Sequence, residues 1–339
     1  MRTSLRFVCL AGLAMLSCEG ANRAGSVGDG GVSGDADADA DGDSDADTDS
    51  DTGTATQSDN GCTSLDILFL IDNSPSMEEE QANLAKNFPK FIDVLDAYET
   101  PQHTKIDYRV GVTTCGVTRT FKEKVPGFPL FTMSSTGPNG KLQGKAACNL
   151  GAYPWVQGND PEVSDKFSCM AGQGTAGSGN EMPLAAIELG LGEQSQDGGP
   201  NEGFYRKDGK SLLVIVIITD EDDCSIENGG TMSVGLQGSS DCDGAASKGL
   251  YDPAGTAGFI DDLAGGEGRY VVVGIGGAKQ GGCTSAFGEA IHAKRLKEFV
   301  DLFGEHGVFG DVCSGDLWES LKAALDITTL TCDEFPPVE

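Results

Sequence analysis

The chain has 339 residues and a net charge of −30, with 53 Asp and Glu against 23 Lys and Arg. That length holds a leader, a linker and one large domain, or two small domains. The carboxylate excess repels phosphate backbones and anionic headgroups, so nucleic-acid binding and polybasic membrane docking are disfavoured, while divalent metals and cationic partners are favoured.

At the N-terminus, Arg2 and Arg6 precede an apolar run from Phe7 to Leu16. The run is about ten residues long, against the about 20 that a membrane-spanning helix needs. It reads as a signal peptide over residues 1–17. Its end, Met15-Leu16-Ser17-Cys18, resembles a bacterial lipobox, although Met15 and Leu16 depart from the commonest residues there. The resemblance implies lipidation at Cys18, the first residue of the mature chain, and a place in the cell envelope. Glu19 stands where an Asp is often linked to inner-membrane retention, so the outer membrane or cell surface is preferred.

Residues 18–61 read as a lipid-anchored, disordered acidic linker. From Asp35 to Asp51 acids alternate with small residues, with no side chain able to build a core. Mutual repulsion keeps such a segment extended. Asp37, Asp39, Asp41 and Gly42 begin like an EF-hand loop, but Thr48 stands where a bidentate Glu is required. Weak, unspecific calcium association is the most expected there.

From Cys62 the pattern changes, and residues 62–335 read as one domain. Asp66 to Asp72 contains a continuous apolar run, as in a strand covered on both faces. Glu78 to Tyr98 carries Leu84, Phe88, Phe91, Ile92 and Leu95 at helical spacing, with Pro89 expected to kink the helix. Residues 108–114 predict a strand, and 116–160, rich in Gly, Pro and Ser, a hairpin and long loop. Helices are predicted over 161–170, 182–191, 256–263, 294–303 and 316–325. Strands are predicted over 212–219, 270–275 and 308–312. The fold class is α/β: a doubly wound, mostly parallel central sheet flanked by helices. Ligands of such sheets sit at the carboxyl ends of the strands, where strand order reverses.

Two buried strands end in chemistry. The first runs into Asp72-Asn73-Ser74-Pro75-Ser76, followed by a helix; the second ends in Thr219-Asp220. Between them, Gly174-Thr-Ala-Gly-Ser-Gly-Asn-Glu181 precedes another helix. A hard divalent ion takes about six oxygen ligands. Neutral serine hydroxyls leave it short of negative charge, so it keeps its pull on a further oxygen. The bland alternatives are helix capping by Ser74 and Ser76 and a solvated acid at Asp220.

Asp-x-Ser-x-Ser at one strand end, a later hydroxyl loop and a later strand-end Asp resemble the metal-ion-dependent adhesion site of von Willebrand factor type A domains. The wording around both strand ends is similar to such lipoproteins of myxobacterial type. The resemblance implies metal ligands at Asp72, Ser74, Ser76, Ser178 and Asp220, with Thr175 as the alternative for the middle loop. Which of residues 175–181 supplies that loop is left open. It implies Mg²⁺, or Mn²⁺ or Ca²⁺, and a partner protein offering an Asp or Glu to the metal. Asp222 is a further candidate ligand, although Glu221 to Asp223 are better read as a solvated acidic turn. A structural envelope protein, whose metal only stabilises the fold, is the alternative function.

Of eleven cysteines, Cys9 leaves with the signal and Cys18 carries lipid, so nine remain. None forms a C-x-x-C pair, and with only three histidines a zinc cluster is disfavoured. Disulfides fit an exported protein. Cys224–Cys242 brackets the acidic turn; Cys62–Cys332 brackets the domain, in keeping with the neighbouring ends of A domains. Cys148–Cys169 and Cys283–Cys313 are the other expected pairs, leaving Cys115 over.

No enzyme motif is complete. Ser74 stands where a haloacid-dehalogenase-like site needs its second Asp. Gly203 to Ser211 is one residue too long for a Walker A loop and precedes its strand. Lys279 replaces the third glycine of a dinucleotide loop after Gly274-Ile275-Gly276. No nucleophile elbow surrounds Ser178. His103, His292 and His306 are read as surface residues. The expectation is a binding module, not an enzyme.

Overall fold

The computed structural model describes residues 61–234, 242–286, 288–315 and 317–336. The expected signal peptide and lipidation site at Cys18, and the Asp-rich run, lie outside them. Among the described residues no helix is long and apolar enough to cross a membrane.

The elements follow in chain order: β1 (Ser64–Ile71), α1 (Glu78–Ala97), β2 (Asp107–Thr113), β3 (Arg119–Lys124), β4 (Phe131–Ser135) and β5 (Trp155–Gln157). Next come α2 (Val163–Ala171), α3 (Pro183–Leu191), β6 (Ser211–Ile218), β7 (Ile226–Ser233), β8 (Lys248–Leu250), α4 (Pro253–Ala264) and β9 (Tyr270–Gly276). The last are β10 (Cys283–Ser285), β11 (Gly288–Ala290), α5 (Lys294–Asp301), β12 (Gly307–Asp311) and α6 (Leu317–Asp333).

The central sheet has six strands in the order β12-β9-β6-β1-β2-β5, parallel throughout except for β5. Every residue of β1 and β6 is buried. Side chains alternate between two cores, as a pleated strand requires. Ile67, Phe69 and Ile71 pack under α1, α2 and α6; Leu68 and Leu70 pack under α3, α4 and α5. Phe69 sits among Phe88, Phe91 and Phe167 at 5.0–6.0 Å between ring centres. The α/β class, the sheet and its flanking helices are therefore as the sequence implies.

The predicted first helix spans Glu78–Ala97 with Pro89 inside it. Two features differ from expectation. The stretch read as hairpin and loop contains the β3–β4 hairpin, but also β5, which adds to the edge of the main sheet. β3 and β4 join β7 and β8 in a second, four-stranded sheet that the sequence did not suggest.

All four expected disulfides form: Cys62–Cys332, Cys148–Cys169, Cys224–Cys242 and Cys283–Cys313. Cys115 is free and fully buried, which removes it from contact with another chain.

At the amino end of the sheet, Asp66 is 0% exposed inside β1. Burial pushes its carboxyl up, and Arg206 opposes that shift. The Arg206 Nε donates to Asp66 Oδ1 at 2.9 Å, its backbone N–H to Oδ2 at 2.7 Å, and its Nη1 to Asp107 Oδ2 at 2.6 Å. Removing one partner of a buried pair leaves a charge without compensation. Arg206→Ala is expected to cost about 3–5 kcal/mol, read as a lower urea midpoint at unchanged slope.

Candidate metal centre

Strand order reverses between β1 and β6, because β2 lies beyond β1 on one side and β9 beyond β6 on the other. The two strands end level, Ile71 opposite Ile218. The backbone N–H of Asp72 still donates to Ile218 O at 2.9 Å, and that of Thr219 to Ile275 O at 3.1 Å. The sheet thus delivers Asp72 and Thr219-Asp220 to one point at its carboxyl end.

Asp72 is 0% exposed. Its Oδ1 accepts the Ser74 N–H at 2.7 Å, and its Oδ2 accepts the Thr219 hydroxyl at 2.7 Å. Both contacts fix the carboxylate's direction. The hydroxyls of Ser74 and Ser76 lie 2.9 Å apart. Ser74 precedes the short helical turn Pro75–Met77 but makes no side-chain capping bond, and Met77, not a serine, occupies the N-cap of α1. The capping alternative therefore does not account for the serine pair. Asp220 is 3% exposed and its Oδ1 has no hydrogen-bond partner. Burial, then the Asp72 charge, pushes it up to about 7, with a hydrogen bond from Ser76 opposing.

The middle loop is pinned to the first. Gln81 Nε2 donates to Asp72 O at 2.8 Å and to Gly174 O at 2.7 Å, while its Oε1 accepts the Gly174 N–H at 3.0 Å. The Gly177 N–H donates to Asn73 O at 2.7 Å, and a Cβ at Gly177 would run into Asn73. Within this loop Thr175 is exposed and Ser178 half-buried, the Ser178 hydroxyl accepting the Asn180 N–H at 3.2 Å. Glu181, at the loop's end, is buried: its carboxylate and those of Asp72 and Glu221 bring one oxygen each to within 4.8 Å of one another. Sequence reasoning sought a hydroxyl here and passed over the acid.

The acids after Asp220 are not a solvated turn. Asp222 is 6% exposed and Asp223 0%. Asp222 accepts the N–H groups of Arg295 at 3.1 Å and Leu296 at 3.0 Å, capping α5, and that of Asp223 at 2.8 Å. Three amides thus occupy Asp222, which caps α5, where the sequence offered it as a candidate metal ligand. Asp223 meets Arg295 at 3.0 Å and accepts the Leu184 N–H at 3.3 Å. A sequence shows four acids in a row; it does not show that α3 and α5 bring donors to two of them.

Glu221 is pushed up to about 8 by burial and by the charges of Asp72 and Asp220, and Glu80 up to about 7 by burial. Two like charges about 4 Å apart repel by about 4 kcal/mol at an effective dielectric near 20. Unpartnered oxygens on Asp220, Glu181, Glu221 and Glu80 have the chemistry of a hard divalent cation's ligands, so the residues present fit such an ion. Beside them runs a groove of about 800 Å³, lined by Ser76, Asp220, Glu221, Thr284, His292 and Lys294. His292, read from the sequence as a surface residue, lines this groove and is half-buried.

No protein-family model matches the chain, and no curated protein matches it. Solved structures similar to it include proximal thread matrix protein 1 from the mussel byssus (12% identity over 80% of this chain and 49% of that one, TM-score 0.42). Others are the pilus adhesin SpaC from Lactobacillus rhamnosus GG in its open conformation (13%, 79% and 31%, 0.41) and the human COPII-coat protein Sec24c (11%, 81% and 33%, 0.42). The chain spans about half the length of the first and about a third of the other two.

The raised carboxyls carry a pH signature. Each group prefers its neutral form when folded and ionises near pH 4 in the unfolded chain. Their stabilising contribution is full below about pH 4 and is lost as pH rises through about 7 for Asp220 and about 8 for Glu221. A bound cation favours the ionised forms and offsets that loss. The melting temperature in EDTA is expected to fall between about pH 5 and pH 8.5, and less so with millimolar Ca²⁺ or Mg²⁺ at matched ionic strength. Equal slopes with and without the ion would contradict a metal at this cluster.

Proposed function

We propose that the domain is a von Willebrand factor A-type module that binds a partner protein through a divalent metal at the β1 and β6 ends, held on the cell envelope by a lipid at Cys18. The observation that carries this reading is the serine pair. Two hydroxyls 2.9 Å apart, released from helix capping, lie at the topological switch point with Asp72 and the unpartnered Asp220 oxygen.

Asp72, Ser74, Ser76 and Asp220 would hold the ion, with the middle loop contributing through residues 175–181. A bound Mg²⁺, Mn²⁺ or Ca²⁺ supplies a Lewis-acidic position for an oxygen ligand, and an Asp or Glu of the partner suits it best. The protein's own part is orientation. The Ser74 N–H and the Thr219 hydroxyl aim the Asp72 carboxylate, and Gln81 ties the first and middle loops into one rim. The groove beside Ser76 and Asp220 gives a partner segment access. The Asp-rich run before the domain suits a spacer that lifts this rim away from the lipid. No catalytic role is assigned to any residue.

Capture of cell-surface proteins on immobilised full-length chain tests this. Specific capture is expected in Mg²⁺ or Ca²⁺, and its loss in EDTA and in Asp72→Ala, by about ten-fold or more. Equal capture by wild type and variant in EDTA would leave a metal that only stabilises the fold.

A further inference from the structure

Buried acids in this protein fall into two groups. Asp66, Asp222 and Asp223 each meet N–H donors. Glu181 does not: it is 1% exposed, and neither carboxylate oxygen has a hydrogen-bond partner. Its backbone is held on both sides, the Cys224 N–H donating to Glu181 O at 2.7 Å and the Met182 N–H to Cys115 O at 2.9 Å. Pro183 then starts α3. The side chain is therefore delivered to one place, with its carboxylate among those of Asp72 and Glu221, their nearest oxygens within 4.8 Å. A buried carboxylate without a donor is among the costliest groups a fold can carry. A cation among these three acids removes that cost.

We propose that Glu181, not Ser178 or Thr175, is the middle-loop ligand, and that Asp72, Glu181 and Glu221 form a carboxylate cage selective for Ca²⁺ over Mg²⁺. Thr175 is exposed and Ser178 half-buried, whereas Glu181 is buried without a donor. The preference for Ca²⁺ follows from ligand type and burial. Ca²⁺ takes six to eight oxygens and accepts carboxylates in one- or two-oxygen contact, whereas Mg²⁺ keeps several waters in a strict octahedron. Glu181 and Asp72 are buried, so on their side of the cage carboxylate oxygens stand in place of water, while Glu221 opens onto the groove. This inference rests on the metal half of the proposed function and is independent of any partner.

The test is calorimetric titration of the EDTA-stripped, desalted full-length chain with CaCl₂ and with MgCl₂, on wild type, Glu181→Gln, Ser178→Ala, Thr175→Ala and Asp72→Ala. The Asp-rich run contributes the same weak background to all. Wild type is expected to bind one Ca²⁺ above that background, about ten-fold or more tighter than Mg²⁺. Glu181→Gln should weaken Ca²⁺ about ten-fold or more, with Ser178→Ala and Thr175→Ala within about two-fold of wild type. In EDTA, Glu181→Gln should melt at or above wild type, because it removes a buried acid that no donor satisfies and that sits among other acids. If Asp72→Ala abolishes binding while Glu181→Gln leaves it within two-fold, the metal site stands and Glu181 is not its ligand. A lower melting point of Glu181→Gln in EDTA also overturns the proposal, since the acid then serves the fold. Absence of any Asp72-dependent ion in wild type overturns the metal reading itself.

Discussion

β1 and β6 lie side by side in parallel register, from Ser64 opposite Ser211 to Ile71 opposite Ile218. Everything at the carboxyl end of the sheet depends on that pairing. A slip of one residue would turn Ile67, Phe69 and Ile71 out of one core and Leu68 and Leu70 out of the other. With both faces packed under helices, neither core tolerates the exchange. The register then places Asp72 beside Thr219, close enough for the 2.7 Å bond that orients its carboxylate. Hydrophobic packing thus fixes the position of a charged group that it does not touch.

The protein treats its buried acids in two ways. Where donors are at hand the acids build structure: Asp66 with Arg206 closes the amino end of the sheet, and Asp222 and Asp223 lock α5 and α3 to the acidic turn. Around the β1 and β6 ends donors are few. Asp220, Glu221, Glu181 and Glu80 all keep unpartnered oxygens. Burial first, then the charges of Asp72, Glu221 and Asp220, push Glu181 well above its usual range. The carboxylates of Glu181 and Glu221 converge with that of Asp72 within 4.8 Å, a concentration of uncompensated cost that the donor-bound acids do not carry.

Much of the fold was legible in the sequence because its central strands are buried on both faces and written as unbroken apolar runs. Leu212 to Ile218 admits few other readings. The short elements β5, β8, β10 and β11 were not legible, since three residues of mixed exposure carry no period. β7, Ile-Glu-Asn-Gly-Gly-Thr-Met-Ser, is half exposed and rich in residues that disfavour strands. At the site, Asp72, Ser74, Ser76 and Asp220 were visible because strand ends and spacing mark them. Glu181 was hidden by its neighbours, Thr175 and Ser178, which are the more familiar oxygen donors. Gln81 was hidden because it acts through two backbone carbonyls on separate loops, a relation that exists only in three dimensions.

The central claim is that oxygens from the β1 end, the middle loop and the β6 end share one divalent ion. Crystals grown in millimolar Mn²⁺, with anomalous scattering recorded at the manganese edge, test it most directly. One peak bounded by Asp72 and its neighbours at the two strand ends is the result the account predicts. Manganese bound only on the surface, with this cluster left without a peak, would contradict it.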